Sequence, residues 1–96
     1  MDKIMNEVCV FLADGFEEIE GLTVVDLLRR AGIETRTVSI MGQEEIKGAH
    51  GIIVKADSLF ENTDFSEVKM LVLPGGMPGT IHLKEHKGLE GLILKH

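Results

Sequence analysis

The apolar positions change period twice in the first forty residues, and each change marks a new element. Residues 7–13 (Glu-Val-Cys-Val-Phe-Leu-Ala) are a short, nearly continuous apolar run that stops at Asp14-Gly15. That is the pattern of a strand covered on both faces in a parallel sheet. Over residues 16–30 the period becomes helical: Ile19, Leu22, Val25 and Leu28 recur every three residues, Val24, Leu27 and Ala31 fill the adjoining row, and Glu18, Asp26 and Arg29 interrupt them. Glu17, Glu18 and Glu20 crowd the first turn, where exposed N–H groups favour negative charge. Arg29 and Arg30 occupy the last turn and Gly32 follows as a stop. Residues 34–40, with Thr35, Thr37, Val38 and Ile40, predict a second strand, so strand, helix and strand make one right-handed βαβ unit.

Beyond the turn at Met41-Gly42-Gln43 the signals are shorter. Residues 44–54 carry β-like pieces around Gly48 and Gly51 and predict a small hairpin, while residues 58–68 predict loop and a short helix. Met70-Leu-Val-Leu73 predicts a third buried strand, cut off by Pro74-Gly75-Gly76. After Pro78-Gly79 the tail over residues 81–96 reads as one helix with Leu89, Leu92 and Ile93 on its apolar side. The expected class is α/β with a parallel sheet, in one domain spanning residues 1–96. A final helix of this kind normally leads back to a further parallel strand. If the third strand pairs beside the first, its far edge exposes hydrogen-bonding groups and apolar side chains.

Composition narrows the partners. Hydrophobic residues make up 44% and charged residues 27%, which is globular rather than disordered. Ten Lys and Arg stand against 16 Asp and Glu, the net charge is -6, and no five-residue basic block occurs, so neither nucleic acid nor an anionic membrane is an expected partner. The longest apolar runs fall far short of the roughly 20 residues of a membrane span. Met1-Asp2-Lys3 does not lead into a signal-peptide core. A cytoplasmic protein is therefore the expectation. Cys9 is the only cysteine, which excludes an intrachain disulfide.

Several residues could carry chemistry, each with a plainer alternative. The cluster Glu17-Glu18-Ile19-Glu20 lies where a strand hands over to a helix, which is where open α/β sheets bind ligands; it equally fits simple complementarity to the helix dipole. Glu20 differs from its neighbours in sharing a face with Phe16 and Val24, where a carboxyl group against apolar surface could hold a proton to donate. Pro74-Gly75-Gly76 can turn backbone N–H groups into the same crevice, or can be an ordinary turn. The segment lacks the Gly-Lys-Ser/Thr ending of a phosphate loop. Cys9, in mid-strand, reads as a small core hydrophobe before it reads as a reactive thiol. His82 and His86 could share a helical face, but no third ligand is suggested nearby, so neither a metal nor a cofactor is expected. Gly21 inside a helix suggests close backbone packing.

The string Leu12-Ala-Asp-Gly-Phe-Glu-Glu-Ile-Glu20, with Val24-Val-Asp-Leu-Leu-Arg-Arg-Ala-Gly32 and Val72-Leu-Pro-Gly-Gly76, closely resembles the ThiJ/PfpI superfamily in its DJ-one-like branch. The resemblance implies a flavodoxin-like, glutamine amidotransferase-like sandwich in which a cysteine on a strand-to-helix elbow is the nucleophile. In it Glu20 matches the glutamate that hydrogen-bonds the thiol, and Gly75 and Gly76 match the turn lining the pocket. It further implies glyoxalase or deglycase-type chemistry on reactive dicarbonyls, a role in stress sensing or a chaperone-like function, and homodimers with the first helix near the interface. By the same resemblance these residues correspond to the amino-terminal half of the domain, with the nucleophile beyond Ile93-Leu-Lys-His96. The expectation is a catalytically inactive chain that needs a complementary half carrying the cysteine, or a fragment without a function of its own.

Overall fold

The first apolar run becomes the middle of the sheet. In the computed structural model, which describes residues 8–96, β1 (Val8–Leu12) is buried at all five positions. The expected strand start at Glu7 and the signal-peptide reading of Met1-Asp2-Lys3 lie outside the described residues. The chain continues through α1 (Glu18–Arg30), β2 (Thr35–Ser39), β3 (Glu45–Lys47), β4 (Ile53–Lys55), β5 (Ser58–Leu59), a single 3₁₀ turn (Phe60–Asn62), β6 (Met70–Val72), α2 (Gly79–Glu85) and α3 (Lys87–Lys95). Four strands form a parallel sheet in the order β5-β2-β1-β6, with Val8 opposite Thr35 on one side and opposite Met70 on the other. β3 and β4 form the expected hairpin as a separate antiparallel pair. Among the described residues no helix is long and apolar enough to cross a membrane.

Alternation along β1 divides the core between two layers. Val8, Val10 and Leu12 pack with Phe16, Val25 and Ile46 on the side of α1 and the hairpin. Cys9, Phe11 and Ala13 point the other way, toward Val38, Ile40, Leu83 and Leu89. This is the two-faced covering that a continuous apolar strand requires. Phe11 anchors the second layer, with ring centroids 6.2 Å from Phe60 and 5.8 Å from Phe65. Cys9 is fully buried, and that burial pushes its thiol up to about 11 even though Arg36, opposite it in register, pulls the other way. It is a core residue.

The structure departs from the sequence pattern in three places. The tail is two helices rather than one: the chain is extended at His86, whose Nδ1 accepts a hydrogen bond from the Leu89 N–H at 2.9 Å and so caps α3. His82 and His86 thus do not share one continuous helix, and the His86 ring sits edge-on to Phe60 at 4.7 Å. β5 is two residues long, too short to leave a period, and is recruited by pairing with β2. The apolar stripe of α1 is narrower than its spacing suggests, since Val25 is buried while Ile19 and Leu27 are exposed. Gly21 faces inward against the Phe16 ring and Pro74, the close approach expected of it.

Among the described residues β6 is an edge strand, hydrogen-bonded on the β1 side only. Next to it Leu73, Pro74, Leu83, Ile93 and Leu94 line a groove of about 590 Å³, and Leu94 is 81% exposed.

Truncating Phe11 to Ala removes the ring on which Phe60 and Phe65 converge and should cost about 3–5 kcal/mol, whereas Leu27→Ala, on the exposed face of α1, should cost less than about 0.5 kcal/mol. Urea unfolding of both variants checks this, and comparable losses would show that the core has been misplaced.

Candidate functional site

The turn after β6 packs against the turn after β1 and the start of α1. Two hydrogen bonds fix the junction: Glu17 N–H donates to the Gly75 carbonyl at 2.8 Å, and Gly75 N–H donates to Glu20 Oε1 at 3.0 Å. Gly76 is obligatory for its backbone, and a side chain at Gly75 would displace the Glu20 carboxylate. A Cβ on Gly75 would stand 2.5 Å from Glu20 Oε1, and one on Gly76, where φ is +105°, would stand 2.5 Å from the Glu17 nitrogen. Residues 55 apart in sequence, Glu20 and Gly75, are therefore brought into direct contact. Glu20 is exposed to solvent rather than sealed against Phe16 and Val24. One carboxyl oxygen is held by backbone and the group faces open space, a geometry suited to exchanging a proton with something placed beside it.

The other two glutamates do different work. Glu17 is the N-cap of α1, its Oε1 accepting from the Ile19 N–H at 2.8 Å. Glu18 is not a surface dipole partner: it is only 4% exposed and is clasped by the tip of the β3–β4 hairpin. Its Oε2 accepts from the N–H groups of His50 at 2.8 Å and Ile52 at 3.3 Å, while Oε1 lies 2.8 Å from His50 Nδ1. Gly48 lacks a side chain where the Glu18 carboxylate sits, so a residue with a Cβ would evict it. Burial alone would raise the Glu18 pKa, but the His50 ring and the backbone donors outweigh it and hold the group at about 2. In return the hydrogen bond and charge of Glu18, with Glu17 adding to them, raise the His50 pKa above 6.5. Glu17 Oε2 is 3.7 Å from the same Nδ1. Pattern reasoning missed this clasp because its partners are 32 residues apart; the glycines at 48 and 51 signalled only a turn.

With this geometry in place the family is decided by comparison: a model of the DJ-1/PfpI family matches residues 6–96. The chain belongs to the DJ-1/PfpI family. It is 34% identical over 95 residues to the protein DJ-1 homolog B of Arabidopsis thaliana, an alignment covering 99% of this chain and 22% of that relative. It is 35% identical over 80 residues to a deglycase of Thermococcus kodakarensis, covering 82% of this chain and 48% of the other. Among solved structures, oxidised DJ-1 of Toxoplasma gondii superposes with a TM-score of 0.89 at 34% identity, over 93% of this chain and 48% of that one. The fold is accordingly the flavodoxin-like one of DJ-1/PfpI proteins, and the chain spans about half the length of the latter two relatives.

The Glu18–His50 clasp gives a defined pH window. Glu18 is held below its ordinary 4.5, so its stabilisation is complete above that value and is lost as pH falls toward 2. His50 is raised, so its share is complete below 6.5 and is lost as pH rises through its higher folded value. Amide exchange at His50 and Ile52 should thus be slowest between about pH 4.5 and 6.5 once corrected for intrinsic rates. A flat profile, or one unchanged in His50→Gln, would remove the clasp as its cause.

Proposed function

We propose that this chain supplies the acid half of a cysteine-dependent site acting on reactive dicarbonyls or their adducts, in the manner of a glyoxalase or deglycase. The carrying observation is the Glu20–Gly75 contact at the turn after β6. A carboxyl group fixed by one oxygen beside an open backbone turn, in a family with a member named as a deglycase, is suited to serve a thiol placed against it. In this reading Glu20 hydrogen-bonds a cysteine from a complementary half-domain or second chain, favours its thiolate, and passes a proton to the carbonyl oxygen as the thiolate adds to the aldehyde carbon. Gly75 and Gly76 line the pocket. Cys9 has no part, being buried in β1 with a raised pKa. On its own the chain is inactive, and the groove beside β6 is where the complement seats.

The complete domain would pair as a homodimer, using exposed Ile19 and Leu27 on α1 with Ile52 and Ile53 on the hairpin. A second reading, redox sensing through the same cysteine, is favoured by one observation: the Toxoplasma gondii relative has been solved in an oxidised form.

The test reconstitutes the chain with a cysteine-bearing complementary half and follows methylglyoxal consumption alongside thiol titration. Glu20→Gln should lower turnover by about 10²–10⁴-fold while leaving fold and thiol count intact. Asp26→Asn, which only breaks the exposed pair with Arg30, should change little. Equal losses in the two variants would show that Glu20 is the wrong carboxylate, and full activity without the complement would refute the division of the site.

A further inference from the structure

The Glu18 clasp brings three potential metal donors, from two separate elements, to one point on the surface. Oxygens of Glu17 and Glu18 and a ring nitrogen of His50 all lie within 4.8 Å of one another. We propose that Glu17, Glu18 and His50 form a binding site for a divalent first-row transition ion, with Zn²⁺ the natural occupant, outside the Glu20–Gly75 junction.

Donor spacing is the first support. His50 Nδ1 lies 2.8 Å from Glu18 Oε1 and 3.7 Å from Glu17 Oε2. An ion about 2.1 Å from each would see these pairs at angles of about 84° and about 124°, bracketing tetrahedral and octahedral values, so one ion fits with small rotations of the Glu17 and His50 side chains. One imidazole with two carboxylates is a donor set that suits zinc.

Preorganisation is the second. Glu18 is buried and its Oε2 is tied to the N–H groups of His50 and Ile52, which leaves Oε1 turned toward the imidazole. Such outer hydrogen bonds fix a ligating carboxylate before the ion arrives. The charge balance also favours a cation, since the imidazole faces two carboxylates at once and is their shared ion-pair partner. His50 is 67% exposed at its side chain, so the site opens to solvent and water can fill the remaining positions.

Calorimetric titration of the metal-stripped chain with Zn²⁺ tests the site. One equivalent should bind. Mn²⁺ should broaden NMR signals of residues 17, 18 and 50 before any others. Glu18→Gln risks the fold, so the decisive variants are at the two less buried positions: His50→Ala and Glu17→Gln should each weaken binding by about tenfold or more, with unchanged circular dichroism, and His82→Ala should not. Unaltered Zn²⁺ affinity in His50→Ala, broadening centred on His82 or His96, or absence of stoichiometric binding would each overturn the proposal.

Discussion

Everything in this fold is arranged around a strand that touches no water. β1 is buried at every position, gives hydrogen bonds to β2 and β6 on its two edges, and sends alternate side chains into two separate cores. A strand in that position cannot tolerate a polar residue on either face, because a buried group without a partner costs about 1–3 kcal/mol. Its composition, Val-Cys-Val-Phe-Leu, is the direct result. The same constraint explains Cys9: a thiol is small and only weakly polar, so it passes as a hydrophobe, and the burial that suits it there also disarms it as a nucleophile.

Where β1 ends, the backbone has to be satisfied in another way, and three glutamates within four residues divide the task. Glu17 caps the helix, Glu18 neutralises the N–H groups of a hairpin tip that would otherwise be unpaired, and Glu20 crosses to the N–H of Gly75 at the end of β6. Glu18 and Glu20 thus join α1 to two different neighbours, while Glu17 closes the helix on itself. Together they fix the helix against the hairpin on one side and the strand-end turn on the other. The glycines at 48, 75 and 76 are the complement of this arrangement, since each leaves out the one atom that would collide with a glutamate or with the backbone beside it.

Period carried most of the fold. The β1–α1–β2 unit was legible because a buried strand and an amphipathic helix leave long regular traces. The hairpin and β6 showed only as short β-rich runs, and β6 is not the buried strand its apolar run predicts, since Met70 is 54% exposed at the sheet edge. The break at His86 was not legible, because it depends on that side chain capping α3 through the Leu89 N–H while its ring stands edge-on to Phe60, and the Phe60 contact is 26 residues away in sequence. β5 escaped for a related reason: two residues become a strand only through what they pair with. At the site, the motif placed Glu20, Gly75 and Gly76 together, and the structure joins Glu20 to Gly75 directly. The proximity of Glu18 to Phe16 and Ile19 in sequence gave no hint that a hairpin tip would close over it. Acidic residues at a helix start look alike until long-range contacts distinguish them.

The Glu20–Gly75 junction lies just beyond the carboxyl end of β6, an edge strand among the described residues, and this links the architecture to the chemistry proposed there. In a parallel sheet all strands run the same way, so a strand added to the open side of β6 would also end at the Glu20–Gly75 junction. Whatever follows that strand arrives within reach of the carboxyl group. The groove of Leu73, Leu83, Ile93 and Leu94 beside the edge would cover one face of such a strand with apolar surface, while the free backbone groups of β6 would fix its register. Under the proposed function, position and chemistry would be separable: these residues would set where a reacting group stands and which proton it meets, and a strand paired with β6 would bring that group.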